Sequence, residues 1–217
     1  MEPLFFKPIP FETIWGGTAI KDYYGYGWMP DKTGQAWAFA DQPKGSNVCM
    51  TAPFEGKTLG ELWKSEPQLF GDTDRDFPLI ISMLCPCDDL SIQVHPDMEH
   101  AKAMGYASGK NEAWYFLEAA DDASIVFGHN AENEADLRSY IDECRWDELL
   151  RHLKVRKDDF VYLEAGLLHA CGKNVIAYEV QQSTDVTYRF YDYDRTDAAG
   201  NKRELQLEQA IDTLKYD

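Results

Sequence analysis

Apolar and polar positions alternate in short runs over most of this chain, and the alternation breaks once. Residues 1–56 carry Thr13-Ile14-Trp15-Gly16-Gly17, Ala36-Trp37-Ala38-Phe39-Ala40 and Asn47-Val48-Cys49. Gly and Pro separate these runs, which is the pattern of a strand meander. Thr58 with Glu61 three residues on predicts a capping box and a short helix. Residues 77–84 form a continuous apolar run of strand length, and residues 90–95 alternate as a second strand. Residues 97–104 read as a helix entered at Pro96 and stopped by Gly105. Between 133 and 153 the spacing changes: Leu137, Tyr140 and Ile141, then Trp146, Leu149, Leu150 and Leu153, recur at i, i+3, i+4. That period predicts an amphipathic helical pair whose apolar stripe is core. Strands resume at 159–163, 174–181 and 185–191. Many short strands with Gly turns indicate a mainly β sandwich or barrel, with one helical insertion at about 131–153. No repeat, low-complexity segment or Pro/Gly/Ser linker divides the chain, so residues 1–217 are expected to form a single domain.

Composition narrows the partners. The 217 residues are 44% hydrophobic and 13% aromatic, ample for a packed core. The 21 basic and 38 acidic residues leave a net charge of -17. Such a field repels nucleic acid and anionic membranes, so neither is an expected partner. An anionic ligand would need a local basic pocket working against that field. The five cysteines (Cys49, Cys85, Cys87, Cys144, Cys171) follow no framework, and Cys85-Pro86-Cys87 is too tight for a zinc knuckle or a redox pair. They read as reduced, mostly buried thiols. No apolar run approaches the ~20 residues of a membrane span, and the first residues lack a signal peptide's regions. A soluble, cytoplasmic protein is expected.

The chemistry concentrates at four residues. In Ser91-Ile92-Gln93-Val94-His95-Pro96, Gln93 and His95 point one way and Ile92 and Val94 the other. Glu112 opens a strand after a turn at Gly109-Lys110, and His169 ends Ala165-Gly166-Leu167-Leu168-His169. Two imidazoles, a carboxylate and an amide oxygen suit a divalent metal with an open position; without sulfur, the set favours zinc, iron or manganese. Singly, such a His is more often a satisfied core residue and such a Glu a solvent-facing one, so metal binding requires convergence in space. On residues 174–181, Val175, Ala177, Glu179 and Gln181 share a face; on the last strand Arg189 shares one with Thr187 and Tyr191. An inward Arg189 needs a partner, and an anionic ligand would supply it.

Several of these segments together resemble a known family. Residues 89–97 around Gln93-Val94-His95-Pro96, Gly109-Lys110-Asn111-Glu112-Ala113-Trp114-Tyr115, Ala165-Gly166-Leu167-Leu168-His169-Ala170, and residues 179–192 ending in Tyr188-Arg189-Phe190-Tyr191-Asp192 are similar, in order, to the type I mannose-6-phosphate isomerases in their short bacterial form. Phe11-Glu12-Thr13-Ile14-Trp15-Gly16-Gly17 resembles the family's opening. The resemblance implies a cupin-type jelly-roll barrel and one zinc ion per chain, or another divalent metal, held by Gln93, His95, Glu112 and His169. It implies active-site roles for Lys110, for Arg189 across the pocket from the metal, and for Glu179 beside that arginine.

Three departures stand against the family pattern. Ser82 occupies the place of a lysine in the strand before Gln93, Gly34-Gln35-Ala36-Trp37 replaces a Gly-Glu-x-Trp pattern, and the chain stops at Asp217 where relatives continue into a further small β domain, which is therefore expected to be absent. The resemblance implies an aldose-ketose isomerase that interconverts mannose 6-phosphate and fructose 6-phosphate through an enediol, with a small sugar phosphate as its partner. Two other readings stay open. One is a metal cupin that binds a sugar phosphate without turnover. The other is a non-haem iron oxygenase built on His95, His169 and Glu112.

Overall fold

A computed structural model describes residues 2–71 and 74–216. The chain begins with β1 (Phe6–Lys7), β2 (Ile9–Gly17), α1 (Ala19–Tyr24) and β3 (Thr33–Phe39), then a small hairpin of β4 (Asp41–Gln42) and β5 (Gly45–Ser46). β6 (Val48–Cys49), α2 (Leu59–Ser65), β7 (Leu79–Leu84), β8 (Ile92–Val94) and α3 (Met98–Ala103) follow. The middle comprises β9 (Glu112–Ala119), β10 (Ser124–His129), α4 (Glu134–Asp142), α5 (Trp146–Leu149) and β11 (Leu150–Lys154). The chain closes with β12 (Phe160–Leu163), β13 (His169–Ala170), β14 (Val175–Gln182), β15 (Tyr188–Tyr191) and α6 (Leu207–Thr213).

The helix signals act locally as expected. Thr58 accepts from the Glu61 amide while the Glu61 carboxylate accepts from the Thr58 amide, satisfying two otherwise unpaired donors at the start of α2. Asp97 caps α3 in the same sense, taking the amides of Glu99 and His100.

Two antiparallel sheets carry the molecule, a six-stranded one in the order β12-β9-β14-β7-β3-β2 and a five-stranded one in the order β11-β10-β13-β8-β15. Their inner faces meet in an apolar cluster: Leu84, Trp114, Phe116, Val175 and Ala177 from the large sheet against Ile125 of the small one. This is the mainly β, jelly-roll-like arrangement of a cupin. Among the described residues no ladder joins the sheets' edges, so of the expected sandwich or barrel the two sheets form an open sandwich. The small sheet's outer face is covered by α4, α5 and α6. There Ile92, Val94, Tyr188 and Phe190 pack with Leu137, Leu149, Ala210 and Ile211. Each strand of the small sheet is therefore apolar behind and free to be polar in front.

Two expectations change in detail. The helical insertion stops at Leu149, and Leu150, Leu153 and their neighbours form β11 instead. Ser124, Ile125 and Val126 of β10 offer a ladder to Lys154, Leu153 and His152, and those backbone bonds outweigh an i, i+3, i+4 spacing that leaves Leu153 40% exposed. Tyr191 does not share a face with Arg189. A bulge between them turns Tyr191 to the helix side, where it stacks on Trp146 at 4.0 Å. Of the five cysteines, Cys87 and Cys144 are exposed and the other three buried, all as free thiols. No helix among the described residues is long and apolar enough to cross a membrane.

The helix layer braces the strands that carry the site, so its packing is expected to dominate stability. Phe190→Ala, at a position 1% exposed, should cost about 3–5 kcal/mol and appear as a lower urea midpoint. Phe160→Ala, 66% exposed on the opposite sheet, should stay within about 0.5 kcal/mol of the parent protein.

Candidate metal centre and cleft

β8 is held between β13 and β15, with Gln93 paired to His169 on one side and to Arg189 on the other. Residues directly opposite in a ladder point to the same face. Gln93, His169 and Arg189 therefore look into the space between the sheets while Ile92 and Val94 anchor the strand behind. His95 follows on the same face, 1% exposed.

Glu112 comes from the other sheet, at the start of β9, paired with Leu163 and Gln181. The approach to β9 is tied down twice. Asn111 donates through its backbone and side chain to the Gln182 side-chain oxygen at 2.9 and 2.8 Å. Gly109 passes so close to α3 that an added Cβ would lie 2.5 Å from the Asp97 carbonyl carbon, and only a residue without one fits there. The Lys110 amide can then bond to the Pro96 carbonyl.

The result is a convergence of acceptors. His95 Nε2 lies 3.2 Å from Glu112 Oε1, and His169 Nε2 lies 3.5 Å from Glu112 Oε2. One ligand atom from each of the three falls within 4.8 Å of the others. His169 Nδ1 donates to the Leu167 carbonyl at 2.9 Å, which leaves the Nε2 lone pair facing the carboxylate. Burial, reinforced by the Lys110 charge, pushes the His95 imidazole down to about 3, so it is neutral and cannot donate from both nitrogens. Burial alone would raise the Glu112 carboxyl, but the Lys110 charge, with Nζ 3.1 Å from Oε1, is foremost among the effects that hold the group well below the usual carboxylate range.

His95 Nε2, His169 Nε2 and Glu112 Oε2 are all buried without a hydrogen-bond partner among the described residues. Three facing lone pairs are costly in a desolvated site unless a cation lies among them. Around a tetrahedral ion with bonds of about 2.1 Å, donor atoms sit about 3.4 Å apart, close to the 3.2 and 3.5 Å between Glu112 and the two imidazoles. The donor set of His95, Glu112 and His169 thus fits a divalent metal, and Gln93 lies on the same face of the small sheet as His169 and Arg189.

A cleft of about 900 Å³ opens over this group. Its wall includes Gln93, Lys110, Glu112, Glu179, Gln181 and Arg189, while His95 and His169 lie beneath. Glu179 is on β14 of the large sheet and Arg189 on β15 of the small one, so they occupy different walls and not adjacent strands. The sheets divide the residues that the motif order runs together.

The Arg189 guanidinium donates to the Glu204 carbonyl at 2.8 Å and to Ser91 Oγ at 3.3 Å. Its own backbone is clamped by Gln206 in both directions. Burial, then the nearby Arg203 charge, lower its pKa from the ordinary value. Arg203, a cleft-lining residue that the sequence did not single out, is held by a fork onto buried Asp192 at 2.8 and 2.5 Å. Ser82, in the place of the family's lysine, lies on the wall of Glu179. It is 0% exposed and donates to Glu179 at 2.5 Å, with Gln35 beside it at 3.1 Å. The signal for this was a small polar residue at an inward position of the apolar run 77–84.

A family model of the phosphomannose isomerase type I catalytic domain matches residues 5–138. Mannose-6-phosphate isomerase ManA of Bacillus subtilis is 46% identical over 216 residues, which span 99% of this chain and 68% of that protein. The mannose-6-phosphate isomerase of Streptococcus mutans is 40% identical over 214 residues, 98% of this chain and 68% of the relative. The crystal structure of the mannose 6-phosphate isomerase from Bacillus subtilis superposes with a TM-score of 0.95 at 39% identity, covering 99% of this chain and 69% of that one.

Metal binding is open to a test independent of catalysis. Zinc at about 100 times its dissociation constant should add about 2.7 kcal/mol of stability and raise the melting temperature of the metal-stripped protein. His95→Ala and His169→Ala should remain folded, because the apolar clusters do not include the site, but lose both the shift and the bound metal. A stripped parent protein that neither retains zinc on dialysis nor melts higher with it would sink the assignment.

Proposed function

Because the chain belongs to the type I phosphomannose isomerases, we propose that it interconverts mannose 6-phosphate and fructose 6-phosphate, with a zinc ion held by Gln93, His95, Glu112 and His169. The observation that carries this reading is the convergence of His95, Glu112 and His169 on one point in the floor of a polar cleft.

The reaction moves one hydrogen from C2 of the aldose to C1 of the ketose and one proton from O2 to O1. When bound, the metal supplies a Lewis acid for the charge that develops on those oxygens. Glu179 is the proton carrier. It takes the proton from C2, the C–H electron pair becomes the C1–C2 double bond of the enediol as the C1=O1 π pair moves onto O1, and the same carboxyl returns the proton to C1 as O2 gives up its proton to O1 and closes the C2=O2 carbonyl. Its surroundings suit that role, since burial first, then the Glu112 charge, raise its pKa to about 7. A carrier that must accept and release a proton near neutral pH works best there.

Lys110 fixes the Glu112 charge and presents an ammonium to the sugar oxygens at that end of the cleft. Arg189 holds the phosphate, assisted by Arg203. The two guanidiniums are pre-set by Glu204, Ser91 and Asp192, so little side-chain entropy is lost when a dianion arrives.

A coupled assay with mannose 6-phosphate, with and without zinc, should show metal-dependent formation of the ketose. Binding of the sugar phosphate without conversion would replace turnover by binding alone. Arg189→Ala should lower kcat/KM by at least ~100-fold, about 2.7 kcal/mol of transition-state binding. Arg189→Lys should recover little, since it offers a point charge in place of a planar fork. Near-normal kcat/KM in Arg189→Ala would show that this arginine is structural.

A further inference from the structure

Glu179 is 4% exposed at the centre of the large sheet, where β14 lies between β7 and β9. Its ladder partners are Ser82 on one side and Trp114 on the other, so all three side chains point to the inner face. Ser82 Oγ donates to Glu179 Oε2 at 2.5 Å, and Gln35 Nε2, from β3, donates to the same oxygen at 2.9 Å. Trp114 Nε1 donates to Oε1 at 3.1 Å. Gln35 Nε2 also lies 3.1 Å from Ser82 Oγ, which closes a ring of polar contacts around Oε2. Ser82 and Trp114 are 0% and 1% exposed. Glu179 and Gln35 reach the cleft wall, whereas Ser82 and Trp114 grip the carboxylate from behind.

We propose that Gln35, Ser82 and Trp114 are positioning residues that hold the Glu179 carboxylate ionised and aimed, with Oε1 as the atom that exchanges the proton with C2 and C1 of the sugar. This rests on the reading of Glu179 as proton carrier. Oε2 is occupied by two donors and Oε1 by one, so Oε1 keeps the lone pair open to a substrate.

The choice of donors matters as much as their number. A carboxylate buried for structure is ordinarily paired with a cation, and such a pair would lower its basicity. Here every direct partner is neutral. The charged or titratable groups acting on it from the surrounding elements are Glu112, Lys110 and the Cys171 thiol. Burial and Glu112 raise the carboxyl's pKa, and Lys110, Ser82 and Trp114 draw it back. The neutral cage orients the group and favours its ionised form without pairing it to a cation.

The test compares Ser82→Ala, Gln35→Met and Glu179→Gln with the parent holoenzyme, reading kcat, KM, bound metal and the pH profile of kcat/KM with mannose 6-phosphate. Loss of a donor to the ionised form raises the carboxyl's pKa, so activity should be lost at a higher pH as the solution is acidified. Ser82→Ala and Gln35→Met should each lower kcat at least about tenfold. Their acid limb should move up by about one pH unit, with KM and metal content unchanged. Parent-like kcat and acid limb in both variants would overturn the proposal, as would a loss explained by metal release or by KM alone. The two failures are distinguishable. If Glu179→Gln turns over normally, the reading of Glu179 itself is wrong. If it is inactive with metal bound while the other two are normal, only the positioning role fails.

Discussion

A carboxylate buried between two sheets sets the terms for this molecule. Glu112 is 2% exposed, faces two imidazoles across the inter-sheet gap, and has one cation, Lys110, in contact. An ionised group in that position is tolerated only when its charge is balanced and its lone pairs are used. Lys110 balances one oxygen, and the other faces His169 Nε2 with no donor between. The sheets must therefore hold their spacing closely, because half of the constellation rides on each. The large sheet brings Glu112 and Lys110, and the small one brings Gln93, His95 and His169.

That spacing is kept by apolar packing on both sides of the small sheet. In front, the inter-sheet cluster around Trp114, Phe116 and Leu84 fills the part of the gap not given to chemistry. Trp114 belongs to both regions, with its ring edge-on to His169 and its N–H on Glu179. Behind, α4, α5 and α6 bear on Ile92, Val94, Tyr188 and Phe190. Strands as short as β8 and β13 have few ladder bonds of their own. Their precision comes from being clamped, which suits a site that tolerates little misplacement.

Electrostatically the cleft works against the rest of the protein. A chain of net charge -17 repels a phosphate dianion at long range, yet Arg189 and Arg203 both line one wall of the cleft, with Arg203 held on Asp192. On the facing wall, Ser82 and Gln35 surround Glu179 with neutral donors. The proposed roles thus put the phosphate at one wall and proton exchange at the other, with the acceptor cluster in the floor between them.

Much of this was legible in the sequence, because period 2 alternation and capping chemistry act over a few residues. Ile92 and Val94 buried behind Gln93 and His95, the inward face of Val175, Ala177, Glu179 and Gln181, and the Thr58 box all follow from side-chain direction along the backbone. The motifs around His95, Glu112 and His169 identified donor types as well. Long-range pairing decided the rest. The end of the helical insertion became β11 because β10 offered it a ladder, and a bulge reversed Tyr191. Glu179 and Arg189, ten positions apart, were sent to opposite walls because β14 and β15 joined different sheets. Ser82, Gln35 and Trp114 met Glu179 from three different strands. Spacing along one chain carries no information about which strands become neighbours, since ladder bonds form between segments of any separation. Apart from such reversals, the sequence alone determined which way side chains face along a strand, and only the tertiary structure decided what they meet.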